Sequence, residues 1–174
     1  MLQALLLDPV PSYYQRQLES ATGLPLRAVQ RELDRLAKAG LLFRRAEGNR
    51  VYYQVNMESP MFPELRGLVL KSVPPAMRLR GEAALDPAVR LCLLSPARDR
   101  ALVVHQGRRP SLKAEGITVE CLTMELFLAA LAGGEVGLAR WLNEGTDLLG
   151  RREDVLWRHI ETAGHTVRKE HGVP

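Results

Sequence analysis

Residues 23–40 read Gly23-Leu24-Pro25-Leu26-Arg27-Ala28-Val29-Gln30-Arg31-Glu32-Leu33-Asp34-Arg35-Leu36-Ala37-Lys38-Ala39-Gly40. Leu26, Val29, Leu33 and Leu36 recur at helical spacing, so a helix here buries one face and turns Arg27, Gln30, Arg31 and Arg35 to solvent. Pro25 suits the first turn, where its missing N–H has no partner to lose, and Gly40 stops the helix. Upstream, Gln15 to Thr22 predicts a shorter helix with Leu18 and Ala21 inward, closed by Gly23 in a left-handed turn. Downstream, Leu41–Ala46 and Arg50–Val55 predict two strands joined through Glu47-Gly48-Asn49, whose glycine and asparagine tolerate positive φ.

Two helices around a glycine turn, followed by a basic, aromatic hairpin, form the plan of a winged helix-turn-helix. Each exposed residue then has two readings. Arg27, Gln30, Arg31 and Arg35 could be a solvated face held by short-range ion pairs, but the like charges of Arg31 and Arg35, four apart, work against an isolated helix. Beside phosphates they make sense. Gln30 matches adenine and Arg31 guanine through bidentate bonds, whereas Arg35 suits phosphate. In the hairpin Arg44, Arg45, Asn49 and Arg50 could merely solubilise a ribbon; on a wing they flank the backbone or enter the minor groove. Tyr52 and Tyr53 point to opposite faces, one to the core and one to solvent as a candidate phosphate donor.

The rest of the chain predicts an α+β protein. Leu2, Leu5 and Leu6 suggest a first helix ended by Asp8-Pro9-Val10-Pro11, and Ser12-Tyr13-Tyr14 an extended entry. Asn56–Pro63 predicts a rigid linker and Pro63–Lys71 a linker helix, broken at Pro74-Pro75. Arg78–Asp86, highly charged, predicts an exposed helix or loop. Val89–Leu94, Ala101–Val104 and Ile117–Leu122 are apolar strands of a covered sheet, with Gly107–Gly116 as a connection. Helices are expected from Thr123 to Ala132, over Glu135–Asn143 and over Arg152–Ile160, with a loose tail after Gly164. The expected domains are 1–56, a DNA-binding head; 57–85, a linker with a helix; and 86–174, a small α/β domain.

At 174 residues, 46% hydrophobic and 25% charged, the chain can bury two small cores and is not of disordered composition. Net charge is only +4, but its distribution is uneven. Residues 1–60 hold 8 Lys/Arg against 6 Asp/Glu, residues 61–116 hold 10 against 5, and residues 117–174 hold 6 against 9, which favours a polyanionic partner for the front of the molecule. No apolar run approaches the roughly 20 residues of a membrane span, and Met1–Leu7 is too short and lacks a basic leader for a secretory signal, so a cytoplasmic protein without membrane contact is expected. Cys92 and Cys121, in apolar strands, are expected to be buried reduced thiols. His159, His165 and His171 recur every six residues, which spreads them around a helix axis, so no metal site is expected there. His105 is expected to be structural.

Leu18–Val55, with Ala28-Val29-Gln30-Arg31-Glu32-Leu33 and Gly40-Leu41-Leu42, resembles the winged-helix domain of bacterial and archaeal ArsR/MarR-type regulators, without the Cys-rich metal-sensing motifs some of them use. Asn56, Pro60–Leu65 and Arg66–Lys71 resemble the linker of regulators that fuse this domain to a small nucleotidyltransferase-like domain. In such transferases a Gly-Ser turn, an Ala-Arg pair and an Asp-x-Asp hold nucleotide phosphates and two metal ions. Here the segment is Leu94-Ser95-Pro96-Ala97-Arg98-Asp99-Arg100-Ala101: Ser95, Ala97, Arg98 and Asp99 match, Leu94 replaces the glycine, and Ala101 replaces the second aspartate. Glu120 could stand for a third carboxylate. The resemblance therefore implies a reduced transferase fold without catalytic residues, metal or cofactor. Ser95 also lacks the glycine elbow of a hydrolase nucleophile.

These readings lead to one expectation, a sequence-specific double-stranded DNA-binding regulator acting as a homodimer, with the carboxyl-terminal domain serving dimerisation or a small-molecule or protein effector. Two rivals stay open: an active metal-dependent nucleotidyltransferase, and a protein–protein adapter of a toxin–antitoxin-like system.

Overall fold

Leu18, Val29 and Leu33, each fully buried, anchor the first part of the chain. The structure, a computed structural model, describes residues 1–170. It is α+β and divides into two units, Met1–Val73 and the chain from Pro74 onward. The expected linker of residues 57–85 is thereby shared between them.

The first unit runs α1 (Leu2–Leu7), β1 (Tyr13–Tyr14), α2 (Gln15–Thr22), α3 (Leu26–Lys38), β2 (Leu42–Glu47), β3 (Arg50–Val55) and α4 (Phe62–Ser72). Leu5, Leu6 and Leu7 are buried, and α1 packs against α4. Gly23 ends α2 at φ +66°, its N–H donating to the Glu19 carbonyl at 2.9 Å. Pro25 sits one residue earlier than expected: it precedes the first helical residue of α3, and its carbonyl accepts the amides of Ala28 and Val29. The strands form an antiparallel sheet in the order β1-β3-β2. Glu47 pairs with Arg50, leaving Gly48-Asn49 as a two-residue turn; Gly48 takes φ +60° at the first central position, as a type II′ turn requires. Asn56 ties the hairpin to the end of α3, donating from Nδ2 to the Gly40 carbonyl at 2.9 Å.

The second unit runs α5 (Pro75–Leu85), β4 (Val89–Leu94), β5 (Arg100–His105), β6 (Thr118–Thr123), α6 (Met124–Ala132), α7 (Val136–Glu144), β7 (Thr146–Asp147), α8 (Val155–Thr162) and β8 (Arg168–Lys169). Its sheet order is β6-β5-β4-β7-β8; β5–β6 and β7–β8 are parallel pairs, and β4 is antiparallel to both neighbours. Alternation along the strands splits the core in two. Cys92, Leu94, Ala101 and Val103 pack with Leu79, Ala83 and Ala84 of α5, while Leu91, Leu93, Leu102 and Val104 pack with Phe127, Leu138, Leu142, Trp157 and Ile160 of α6, α7 and α8.

Three expectations change here. Residues 78–85 are helical, but apart from Arg78 they are not exposed: α5 buries Leu79, Arg80, Gly81, Ala83 and Ala84, of which the glycine and alanines let the helix lie close on the sheet. The segment after Gly164 is not loose as far as Glu170, the last described residue: Val167 is buried, β8 pairs with β7, and the Glu170 N–H donates to the Asp147 carbonyl at 2.9 Å. Cys121 is only half-buried, on a strand at the sheet edge, whereas Cys92 on central β4 is fully buried. Both are free thiols. Among the described residues no helix is long and apolar enough to cross a membrane.

Candidate nucleic-acid interface

The inward positions of α3 fix what its other side presents. Val29, Leu33 and Leu36 are buried and Leu26 half-buried, so Arg27, Arg31, Asp34, Arg35 and Lys38 are exposed around one face. Lys38 lies eleven residues, close to three turns, beyond Arg27 and shares its direction. Among the described residues Arg27 and Arg31 have no ion-pair or hydrogen-bond partner, whereas Arg35 meets Glu32 at 3.3 Å. Both members of that pair are exposed, so it holds little energy and breaks readily for a stronger anion.

Gln30 departs from the sequence expectation. It is half-buried rather than free, and its Nε2 donates to Gln15 Oε1 of α2 at 3.0 Å. That bond uses one N–H; among the described residues the second N–H and the carbonyl oxygen make no further bond.

The hairpin distributes its basic residues by strand parity. Arg44 lies in register with the buried Tyr53 and Tyr13 on one sheet face, and Arg45 with Tyr52 and Tyr14 on the other, so the two arginines do not form one patch. Arg45 is paired with Glu47 at 3.0 Å, exposed on both sides. Arg50 is ordered by Tyr14: its guanidinium lies 5.3 Å from the ring centre, and Tyr14 in turn meets the half-buried Tyr52 edge-on at 6.2 Å. Asn49 stands exposed at the tip.

A cavity of about 480 Å³ joins these elements, lined by Tyr14, Gln15, Arg16, Leu26, Asn49, Arg50 and Val51. It brings the hairpin tip to the starts of α2 and α3, with two guanidinium groups and no carboxylate in its wall. Arg16, Gln15 and Tyr14 were missed by sequence reasoning, as was Lys38. Ala21, expected inward, is exposed, so Leu18 alone buries α2 in the core; Arg16 was legible in principle, since Leu18 inward leaves the second residue of the helix outward, whereas the role of Tyr14 depends on a cross-strand pairing that no local pattern reveals.

In the second unit a cavity of about 460 Å³ lies between the β4–β5 turn and α7, lined by Ser95, Pro96, Ala97, Asp99 and Arg100 and by Gly137, Arg140, Trp141, Glu144 and Gly145. Its polar groups already serve one another. Ser95 Oγ donates to Asp99 Oδ1 at 2.8 Å, Arg140 pairs with Glu144 at 3.1 Å, and Arg100 lies over Trp141 at 5.6 Å while binding Glu120 through Nε at 3.0 Å. The Glu120 carboxylate, by bonding and facing it, raises the Arg100 guanidinium further above its ordinary value. Among the described residues no group of three or more His, Cys, Asp or Glu side chains is arranged to hold a metal ion. His159 is exposed on α8, and His165 bonds Asn143 at 2.9 Å; His171 lies outside the described residues. His105 is buried on β5.

Comparison with family models, with curated proteins and with solved structures finds no match to this chain.

Proposed function

We propose that the chain is a sequence-specific double-stranded DNA-binding regulator whose first unit is a winged helix-turn-helix. In this reading α3 enters the major groove, the β2–β3 hairpin is the wing, and α2 lies across the backbone. The observation that carries it is the outer face of α3. Two arginines without a partner among the described residues, a lysine and a side-chain amide held by Gln15 project from a helix of 13 residues, about 20 Å long, whose other face buries Val29, Leu33 and Leu36. A solvated face needs none of this order. Gln30, with one N–H and its carbonyl oxygen free, matches the N7 and N6 groups of adenine, and Arg31 matches the O6/N7 edge of guanine. Arg16, Arg27, Arg35, Lys38 and Arg50 supply phosphate contacts, and Asn49 the tip of the wing.

A homodimer placing two such helices in major grooves about 34 Å apart extends the proposal. The second unit, in the same reading, is a reduced nucleotidyltransferase-like domain without activity, serving dimerisation or effector binding. The satisfied pairs Ser95–Asp99 and Arg100–Glu120 favour this over metal-dependent transfer.

Fluorescence anisotropy with labelled duplexes, at several salt concentrations, tests the reading. Arg31→Ala is expected to weaken binding by about 1–3 kcal/mol and relax preference at one base pair. Unchanged affinity in that variant would favour the adapter reading. Magnesium- or manganese-dependent nucleotide transfer that Asp99→Ala abolishes would establish the enzyme instead.

A further inference from the structure

Asp34 stands where a purely electrostatic DNA-binding face would place a cation. It is exposed on α3, one turn beyond Gln30 and one turn before Lys38, with the cations Arg31, Arg35 and Lys38 around it. Its bland role would be an ion pair with Lys38 four residues on or Arg31 three residues back. Among the described residues it forms neither, although the nearby Glu32 does pair with Arg35. A free carboxylate here weakens binding to any phosphate it approaches, so its presence calls for a group that offers it a proton.

Base edges differ sharply in that respect. In the major groove guanine presents two acceptors, thymine an acceptor and a methyl group, and adenine a donor beside the N7 acceptor; cytosine alone presents its N4 amino donor with no acceptor of its own alongside. Building on the DNA-binding reading, we infer that Asp34 is a specificity-determining residue that selects cytosine, rejects guanine and thymine by leaving its carboxylate against acceptors, and disfavours adenine through the N7 acceptor beside its donor. Asp34 lies three residues beyond Arg31, a rise of about 4.5 Å, so this cytosine belongs one or two base pairs from the guanine read by Arg31. The same charge lowers affinity for non-cognate duplex and thereby widens the gap between specific and non-specific binding.

The test is binding-site selection from randomised duplexes with the full chain, followed by titration of single-base variants of the selected site. The wild-type protein is expected to prefer cytosine at one position by roughly tenfold or more. Asp34→Asn, the same size without the charge, is expected to move that preference to adenine, whose N6 and N7 a carboxamide can bind together, and to bind non-cognate duplex more tightly. Asp34→Ala should lose the preference at that position and keep it elsewhere. Lys38→Ala serves as the control, weakening all duplexes alike. Identical base preferences in wild type and both Asp34 variants, whether or not overall affinity rises, would overturn the inference while leaving the DNA-binding reading intact. No binding to any duplex by the wild-type protein would overturn both.

Discussion

Asp147 lies wholly buried in the second unit, its carboxylate accepting the amides of Leu149 and Gly150 at 3.0 Å each and facing Arg152 at 3.6 Å. Burial raises its pKa, and the two amides and Arg152 only partly offset that. With the folded value above the unfolded one, the ionised form costs stability at neutral pH, and the cost fades as pH falls through the folded value toward the unfolded. Arg152 also stacks 3.5 Å over Trp157 and donates to the Val167 carbonyl at 3.0 Å. Arg152→Ala is expected to destabilise the fold by about 1–3 kcal/mol at neutral pH. Because the abandoned carboxylate can then take a proton, part of that deficit should disappear on acidification toward the ordinary carboxylate range. Denaturant titrations of both proteins at two pH values check this, and a deficit independent of pH would contradict it. Burial and the Asp147 charge likewise push the Cys92 thiol up, so it should resist a disulfide reagent until the protein unfolds. Labelling of Cys92 in the native protein as fast as in urea would show that β4 is not central.

Among the elements, α3 and its hairpin were legible from two signals: four apolar residues at helical spacing, then two runs of mixed alternation about a glycine and an asparagine. The same periodicity exposed most of the α3 face by number. It could not reveal that Gln30 reaches back to Gln15, since that contact depends on how α2 and α3 cross. Nor could it separate Arg44 from Arg45 without the register against Tyr53 and Tyr52. α5 was hidden for another reason: its buried side is made of alanine and glycine with a single leucine, Leu79, and Arg80, a composition that reads as neither apolar stripe nor polar face. β7 and β8 span only two residues each, too few for any period to show. The turn between α7 and β7 carries its own constraint. A Cβ on Gly145 would collide with the Trp141 carbonyl oxygen, which belongs to backbone and cannot swing aside. Gly145→Ala is therefore expected to lower stability by about 1–3 kcal/mol, read as a reduced thermal midpoint, and an unchanged midpoint would mean the end of α7 is looser than described.

For the whole molecule, the charged residues on the outer face of α3 and around the hairpin cavity are cationic except Asp34, although residues 1–60 exceed charge balance by only two. Under the proposed function, a modest total charge concentrated on one surface predicts duplex binding that falls steeply with salt, with base contacts supplying the part that salt does not remove. The central claim is that this surface reads sequence in duplex DNA. Its most direct measurement is the dissociation constant for a duplex selected from random sequence, set against a scrambled duplex of the same length, at physiological salt. The selected duplex is expected to bind at least about a thousandfold tighter. Equal affinity for the two, or none for either, would contradict it.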